Sequence, residues 1–184
     1  MRNPRTFLKV FALLAAGFLA VAVHSHAQDD NGEILSPPAK AVCKFSDGKT
    51  ITVNYASPRI RGRKIYGDLV PYGEVWRAGA NEATTFVPNV NVMIGGKDVP
   101  AGSYTLFMLP TPAKWTLIIS KQKGEWGIPY PGARRDLMRA EMRVEKLTSP
   151  VEKFSIGFDQ TGAACTLRLD WEKTRAAIEI AEKK

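Results

Sequence analysis

The chain has 184 residues and a formal net charge of +8, with 26 basic and 18 acidic side chains and only two histidines and two cysteines. Both histidines, His24 and His26, precede the predicted mature start at Gln28. The mature chain therefore has no imidazole, which excludes histidine-served serine or cysteine nucleophiles, histidine-ligated metals and imidazole acid/base chemistry.

Residues 1–27 read as a secretory signal peptide. Arg2, Arg5 and Lys9 form the charged start, Val10 to Val23 is a 14-residue run without charge, and Ser25-His26-Ala27 offers small residues at a cleavage site. As a helix that run rises about 21 Å, short of the ~30 Å hydrocarbon core, so no stable membrane anchor is expected after cleavage. Roughly 160 residues remain, enough for one domain with one core. Losing three cations leaves the exported chain mildly basic. Its remaining cations, among them Lys40, Lys114, Lys121, Lys123, Arg134, Arg135, Arg139 and Arg143, alternate with acids, so no nucleic-acid partner is expected. The predicted location is periplasmic or extracellular.

Residues 28–38 read as an exposed lead-in ending in Ser36-Pro37-Pro38, and the domain is expected over residues 39–180. Lys40 to Phe45 and Thr50 to Ala56 alternate apolar with polar residues across the turn Ser46-Asp47-Gly48-Lys49. Thr85 to Ile94 reads as one strand with an edge or bulge at Pro88, followed by a turn at Gly95-Gly96-Lys97-Asp98. Ser103 to Leu109 and Trp115 to Ser120 read as hairpin partners. Lys121 to Ala133, with Trp126, Tyr130 and two prolines, reads as a long ordered loop.

Met138 to Lys146 holds good helix formers, but Met138, Ala140, Met142 and Val144 alternate with charged residues, and a period of two predicts a strand. Ser149-Pro150 is expected to break it before the alternation of Phe154, Ile156 and Phe158. Cys165 to Trp171 and Arg175 to Ile180 follow, separated by a predicted turn at Glu172-Lys173-Thr174, and residues 181–184 are expected to fray. Short strands at regular spacing without an amphipathic helix predict an all-β fold: a single-domain antiparallel β-sandwich or flattened barrel with long ordered loops.

Cys43 shares a strand side with Ala41 and Phe45, and Cys165 shares one with Leu167, Leu169 and Trp171. Both sulfurs therefore face the interior, and in an exported chain a disulfide between them is expected over two buried thiols.

The segment Ser57 to Thr84 packs five cations, four glycines, two prolines and three large aromatics into 28 residues. Its glycines, Pro71 and Asn81 supply turn geometry, and Leu69, Val70, Val75 and Trp76 are expected to plug it onto the core. Arg59, Arg61, Arg63, Lys64 and Arg77 carry two readings. They brace loop carbonyls or pair with Asp68, Glu74 and Glu82, or else three of them converge on an anion or acidic glycan. Glu82 is the sole weak candidate for catalysis, as an acid/base that would need a second carboxylate, Asp68, Glu74 or Glu125, across a cleft. Otherwise it is an ion pair or turn cap. Trp126 with Tyr130 stacks on a sugar ring or plugs the loop.

The motifs Ser57-Pro58-Arg59, Gly62-Arg63-Lys64-Ile65-Tyr66-Gly67, Leu69-Val70-Pro71-Tyr72-Gly73 and Val75-Trp76-Arg77-Ala78-Gly79-Ala80-Asn81-Glu82-Ala83-Thr84 carry a resemblance. So do Pro100-Ala101-Gly102-Ser103-Tyr104, Trp115-Thr116, Glu125-Trp126-Gly127 and Leu169-Asp170-Trp171-Glu172. The chain resembles, from about Ser36 to Ile180, a bacterial family of exported proteins classed as a domain of unknown function, numbered 2911. The resemblance implies an exported, compact, β-rich domain and supplies no activity, substrate or catalytic residue.

The functional expectation is a non-catalytic binding module using the Arg-rich loop 57–84. Its ligand-binding candidates are Arg59, Arg63, Arg77, Asn81, Glu82 and Trp126, its ligand an anion or carbohydrate, and it has no metal and no cofactor. The alternatives are a carboxylate-based hydrolase of glycan or cell-envelope material, and an assembly module marked by an open sheet edge or apolar patch.

Overall fold

The computed structural model describes Gly32 and residues 34–124, 126–161 and 163–184; the segment 1–27, expected to be a signal peptide, and Glu125 lie outside them. Nine strands run in chain order: β1 (Pro38–Lys44), β2 (Thr50–Ala56), β3 (Thr85–Pro88), β4 (Val92–Ile94), β5 (Lys97–Val99), β6 (Tyr104–Pro110), β7 (Trp115–Ser120), β8 (Asp136–Thr161) and β9 (Ala164–Glu182). A short 3-10 turn, Ala133–Arg135, precedes β8. All strand pairings are antiparallel, and the sheet order is β1-β2-β3-β6-β7-β8-β9-β4-β5. The fold is all-β, as the spacing of the alternating segments predicts.

Alternation in sequence becomes alternation in burial. Ala41, Cys43 and Phe45 face the core from the start of the chain, and Cys165, Leu167, Leu169 and Trp171 face it from β9. The two sulfurs meet as the Cys43–Cys165 disulfide, with 6.4 Å between Cα atoms. Near it the Gln160 amide donates to the Lys44 carbonyl at 2.7 Å. These links hold the β1 end of the open sheet against the β8–β9 hairpin, an arrangement consistent with a sandwich or flattened barrel. β6 and β7 depart from simple alternation, with Thr105 to Met108 and Leu117 to Ser120 all buried. The 121–133 loop lies over their outer face: Tyr130 packs edge-on against Phe107, and the Thr105 hydroxyl donates to the Gln122 carbonyl at 2.7 Å.

Several expected boundaries are corrected. The segment Thr85 to Ile94 is two strands, because Pro88 has no N–H to extend the ladder and ends β3. The chain then crosses to pair β4 with β9. Only Gly95 and Gly96 make the next turn, both at positive φ, and Lys97–Val99 is already β5. The expected breaks at Ser149-Pro150 and Glu172-Lys173-Thr174 do not end the two long strands. The β8–β9 register shifts between Lys146 and Val151 and again before Ser155, with the extra residues on β8 both times, and Glu172, at φ 53°, pairs with Val151 between the two shifts.

The last residues are not frayed either. Val92 pairs with Glu182, the Lys183 amide donates to the Asn91 carbonyl, and its ammonium pairs with Asp98. The end of the expected lead-in is tied down as well. Ile34 to Pro37 are half-buried, and the Ser57 amide donates to the Pro37 carbonyl at 2.9 Å. Residues 28–31 and Glu33 lie outside the described residues.

Candidate functional site

The Ser57 to Thr84 loop is built from its own backbone bonds. Its entry runs beside β8: the Ser57 hydroxyl donates to the Phe154 carbonyl at 2.6 Å, and the Ile60 amide to the Glu152 carbonyl at 2.9 Å. Ile65 and Tyr66 then drop into the core, Tyr66 edge-on to Trp115 and Trp171. A tight turn follows, with the Gly67 amide on the Val70 carbonyl at 2.9 Å. Trp76 exchanges backbone bonds with Met108 of β6 at 2.7 and 2.8 Å, so the loop returns onto the sheet as a short added rung. The Trp76 ring stacks on Trp171 at 5.8 Å and 18°, and meets Phe154 at 5.0 Å. Such aromatic pairs contribute about 0.5–1.5 kcal/mol each beyond burial.

Within this frame the arginines first brace the chain. Arg63 donates Nε to the Ile60 carbonyl at 3.0 Å and Nη2 to the Arg59 carbonyl at 2.7 Å. Arg77 reaches out of its own loop. Its Nη1 donates to the Trp126 carbonyl at 3.0 Å, and the guanidinium lies 5.7 Å from the Trp126 ring centroid. Burial lowers the Arg77 pKa, and the Glu82 charge opposes that shift.

Bracing does not turn these side chains away from open space. A cavity of about 330 Å³ lies between the loop and residue 128, lined by Arg61, Arg63 and Arg77 on the polar side. Leu35, Leu69, Val70, Trp76, Ile128 and Trp171 make most of its apolar wall. Three arginines thus line one cavity, Arg61 with Arg63 and Arg77, and the expected Arg59 is not among them. Arg59 instead forms an isolated bridge with Lys153 and lines neither this cavity nor the next.

Asn81 and Glu82 belong elsewhere. They line a second cavity of about 420 Å³ on the β1–β2–β3 side, with Lys40, Asn54 and Thr85. Asn81, at φ 56°, donates to the Ser36 carbonyl at 3.2 Å, and Ser36 lines both cavities and so separates them. Glu82 is exposed, and among the described residues it is the only carboxylate lining this cavity; Asp68 and Glu74 line neither. Among the described residues no group of three or more histidines, cysteines or carboxylates is placed to hold a metal ion. No helix among them is long and apolar enough to cross a membrane.

A protein-family model described as a protein of unknown function (DUF2911) matches residues 36–180. The chain belongs to the DUF2911 family. No curated protein and no solved structure matches it. The DUF2911 match takes in every lining residue of both cavities except Leu35.

Of the ligand-binding candidates read from sequence, Arg63 and Arg77 line this one cavity, and Trp126 packs on Arg77 without lining it. Trp171, Leu69 and Ile128 line it as well and were not among the candidates. Trp171 gives no signal, since its place in the β9 alternation is that of any core residue. Ile128 had one: it is the sole aliphatic β-branched side chain in the 121–133 loop.

Proposed function

We propose that this DUF2911 domain is an exported, non-catalytic binding module. Its site is the cavity between the Arg-rich loop and residue 128, and its ligand carries a negative charge. The observation that carries the reading is the arrival of Arg61, Arg63 and Arg77 at one cavity. Guanidinium forks bind oxyanions bidentately, and forks already held by carbonyls lose little freedom when a ligand arrives. Export is supported by the charged and apolar start of the sequence and by the disulfide. The non-catalytic reading is supported by the histidine-free exported chain and by the single carboxylate at the second cavity.

The test is a thermal-shift panel of organic and inorganic anions, neutral sugars and peptides on the parent and on Arg77→Ala. Stabilisation of the parent by anions, absent in Arg77→Ala, is the expected result. Equal shifts in both proteins, or shifts with neutral sugars alone, would remove this cavity as the anion site.

A further inference from the structure

We infer that the ligand of the Arg63–Arg77 cavity is an amphipathic carboxylate, an anion with a compact apolar body, and not an inorganic anion or an acidic sugar. The inference rests on the anion-binding reading above and specifies its ligand class.

The apolar lining is the first argument. Leu35, Leu69, Val70, Trp76, Ile128 and Trp171 present hydrocarbon and indole, and among the lining residues only Ser36 adds a polar side chain to the three arginines. An acidic sugar carries several hydroxyls that need partners, and few lining side chains could supply them. A sulfate or phosphate would lose hydration to the same lining while covering little of it.

The rim is the second argument. Of the six large apolar side chains exposed among the described residues, Leu69 at 45% and Ile128 at 65% line this cavity, and Trp126 at 51% sits on the Arg77 guanidinium; Val42, Tyr72 and Met93 lie elsewhere. Ile128, the most exposed of the six, is apolar surface that an occupant of the cavity would cover.

Size and orientation complete the case. A volume of about 330 Å³ lies at the small end of ligand pockets, which are mostly apolar with a few placed polar groups. Arg63 is anchored through Nε and Nη2 and Arg77 through Nη1. Neither set of bonds uses Arg63 Nη1 or Arg77 Nη2, which remain to meet a carboxylate.

Titration calorimetry of the exported chain decides the matter, with 3-phenylpropionate and hexanoate as probes, and 3-phenylpropanol, glucuronate and sulfate as comparisons. The two carboxylates are expected to bind at least about tenfold more tightly than any comparison compound, a gap that one charge-assisted hydrogen bond supplies. Arg77→Gln is expected to weaken 3-phenylpropionate about tenfold. Ile128→Glu, which places a like charge on an exposed rim position, is expected to do the same while melting with the parent, so a folding defect is not mistaken for the effect. Tight sulfate or glucuronate binding sensitive to Arg77→Gln would overturn the ligand class and leave the anion site standing. Equal binding of 3-phenylpropanol, or no binding by any probe, would overturn both.

Discussion

Arg77 and Gly127 meet where two loops close over the cavity. Gly127 adopts φ 81°, and a Cβ there would lie 3.0 Å from the Cβ atoms of both Arg77 and Ala83. Gly127→Ala therefore combines left-handed strain with a clash against side-chain stems that cannot swing aside. It is expected to cost about 1–3 kcal/mol in urea unfolding and to weaken carboxylate binding by displacing Arg77. Tyr66 makes the opposite case. Its hydroxyl is buried without a hydrogen-bond partner, so Tyr66→Phe is expected to be neutral or to stabilise by up to about 1 kcal/mol. Burial, with Glu172 next in effect, pushes the Tyr66 pKa far above its ordinary value of 10.0. The folded chain thus keeps a proton that the unfolded chain releases. Stability from this group is full below about pH 10 and falls as pH rises beyond it. Unfolding titrations between neutral and strongly alkaline pH are expected to show a shallower alkaline loss in Tyr66→Phe than in the parent.

At the scale of elements, the disulfide and the β8–β9 hairpin set the shape. Cys43 and Cys165 are 122 residues apart, and the chain-entropy model gives a bridge of that span about 5 kcal/mol. The double variant Cys43→Ala/Cys165→Ala is expected to lose several kcal/mol in denaturant unfolding, and adding reductant to the parent should approach the same value. Most elements were legible because one face of each strand is buried: Met138, Ala140 and Met142 announce β8 despite helix-forming residues. Where reading failed, local signals were real but outweighed. Ser149-Pro150 and Glu172-Lys173-Thr174 carry turn chemistry, yet pairing on either side continues both strands, with Ser149-Pro150 in a bulge of β8 and Glu172 paired with Val151. Pro88 worked the other way, since a missing N–H is a local fact that no tertiary context restores.

For the whole molecule, the site was half legible. A loop dense in arginine, glycine and tryptophan pointed to itself, and Arg63 and Arg77 are where that density led. Glu82 and Trp171 show why the rest was hidden. Glu82 is five residues beyond Arg77 yet lines the other cavity across Ser36, whereas Trp171 is far away in sequence and forms part of the wall. Only the sheet order, which sets β9 beside β8, brings Trp171 to the Arg63–Arg77 cavity.

The central claim is that the Arg63–Arg77 cavity takes an anion with an apolar body. Its most direct test is the indole N–H region of a proton–nitrogen correlation spectrum, recorded as 3-phenylpropionate is titrated into the chain from the predicted mature start onward. Trp76 and Trp171 line the cavity and Trp115 does not. The account predicts saturable shifts of the Trp76 and Trp171 resonances with Trp115 unmoved, and their loss in Ile128→Glu. Saturable binding that leaves Trp76 and Trp171 in place would contradict it.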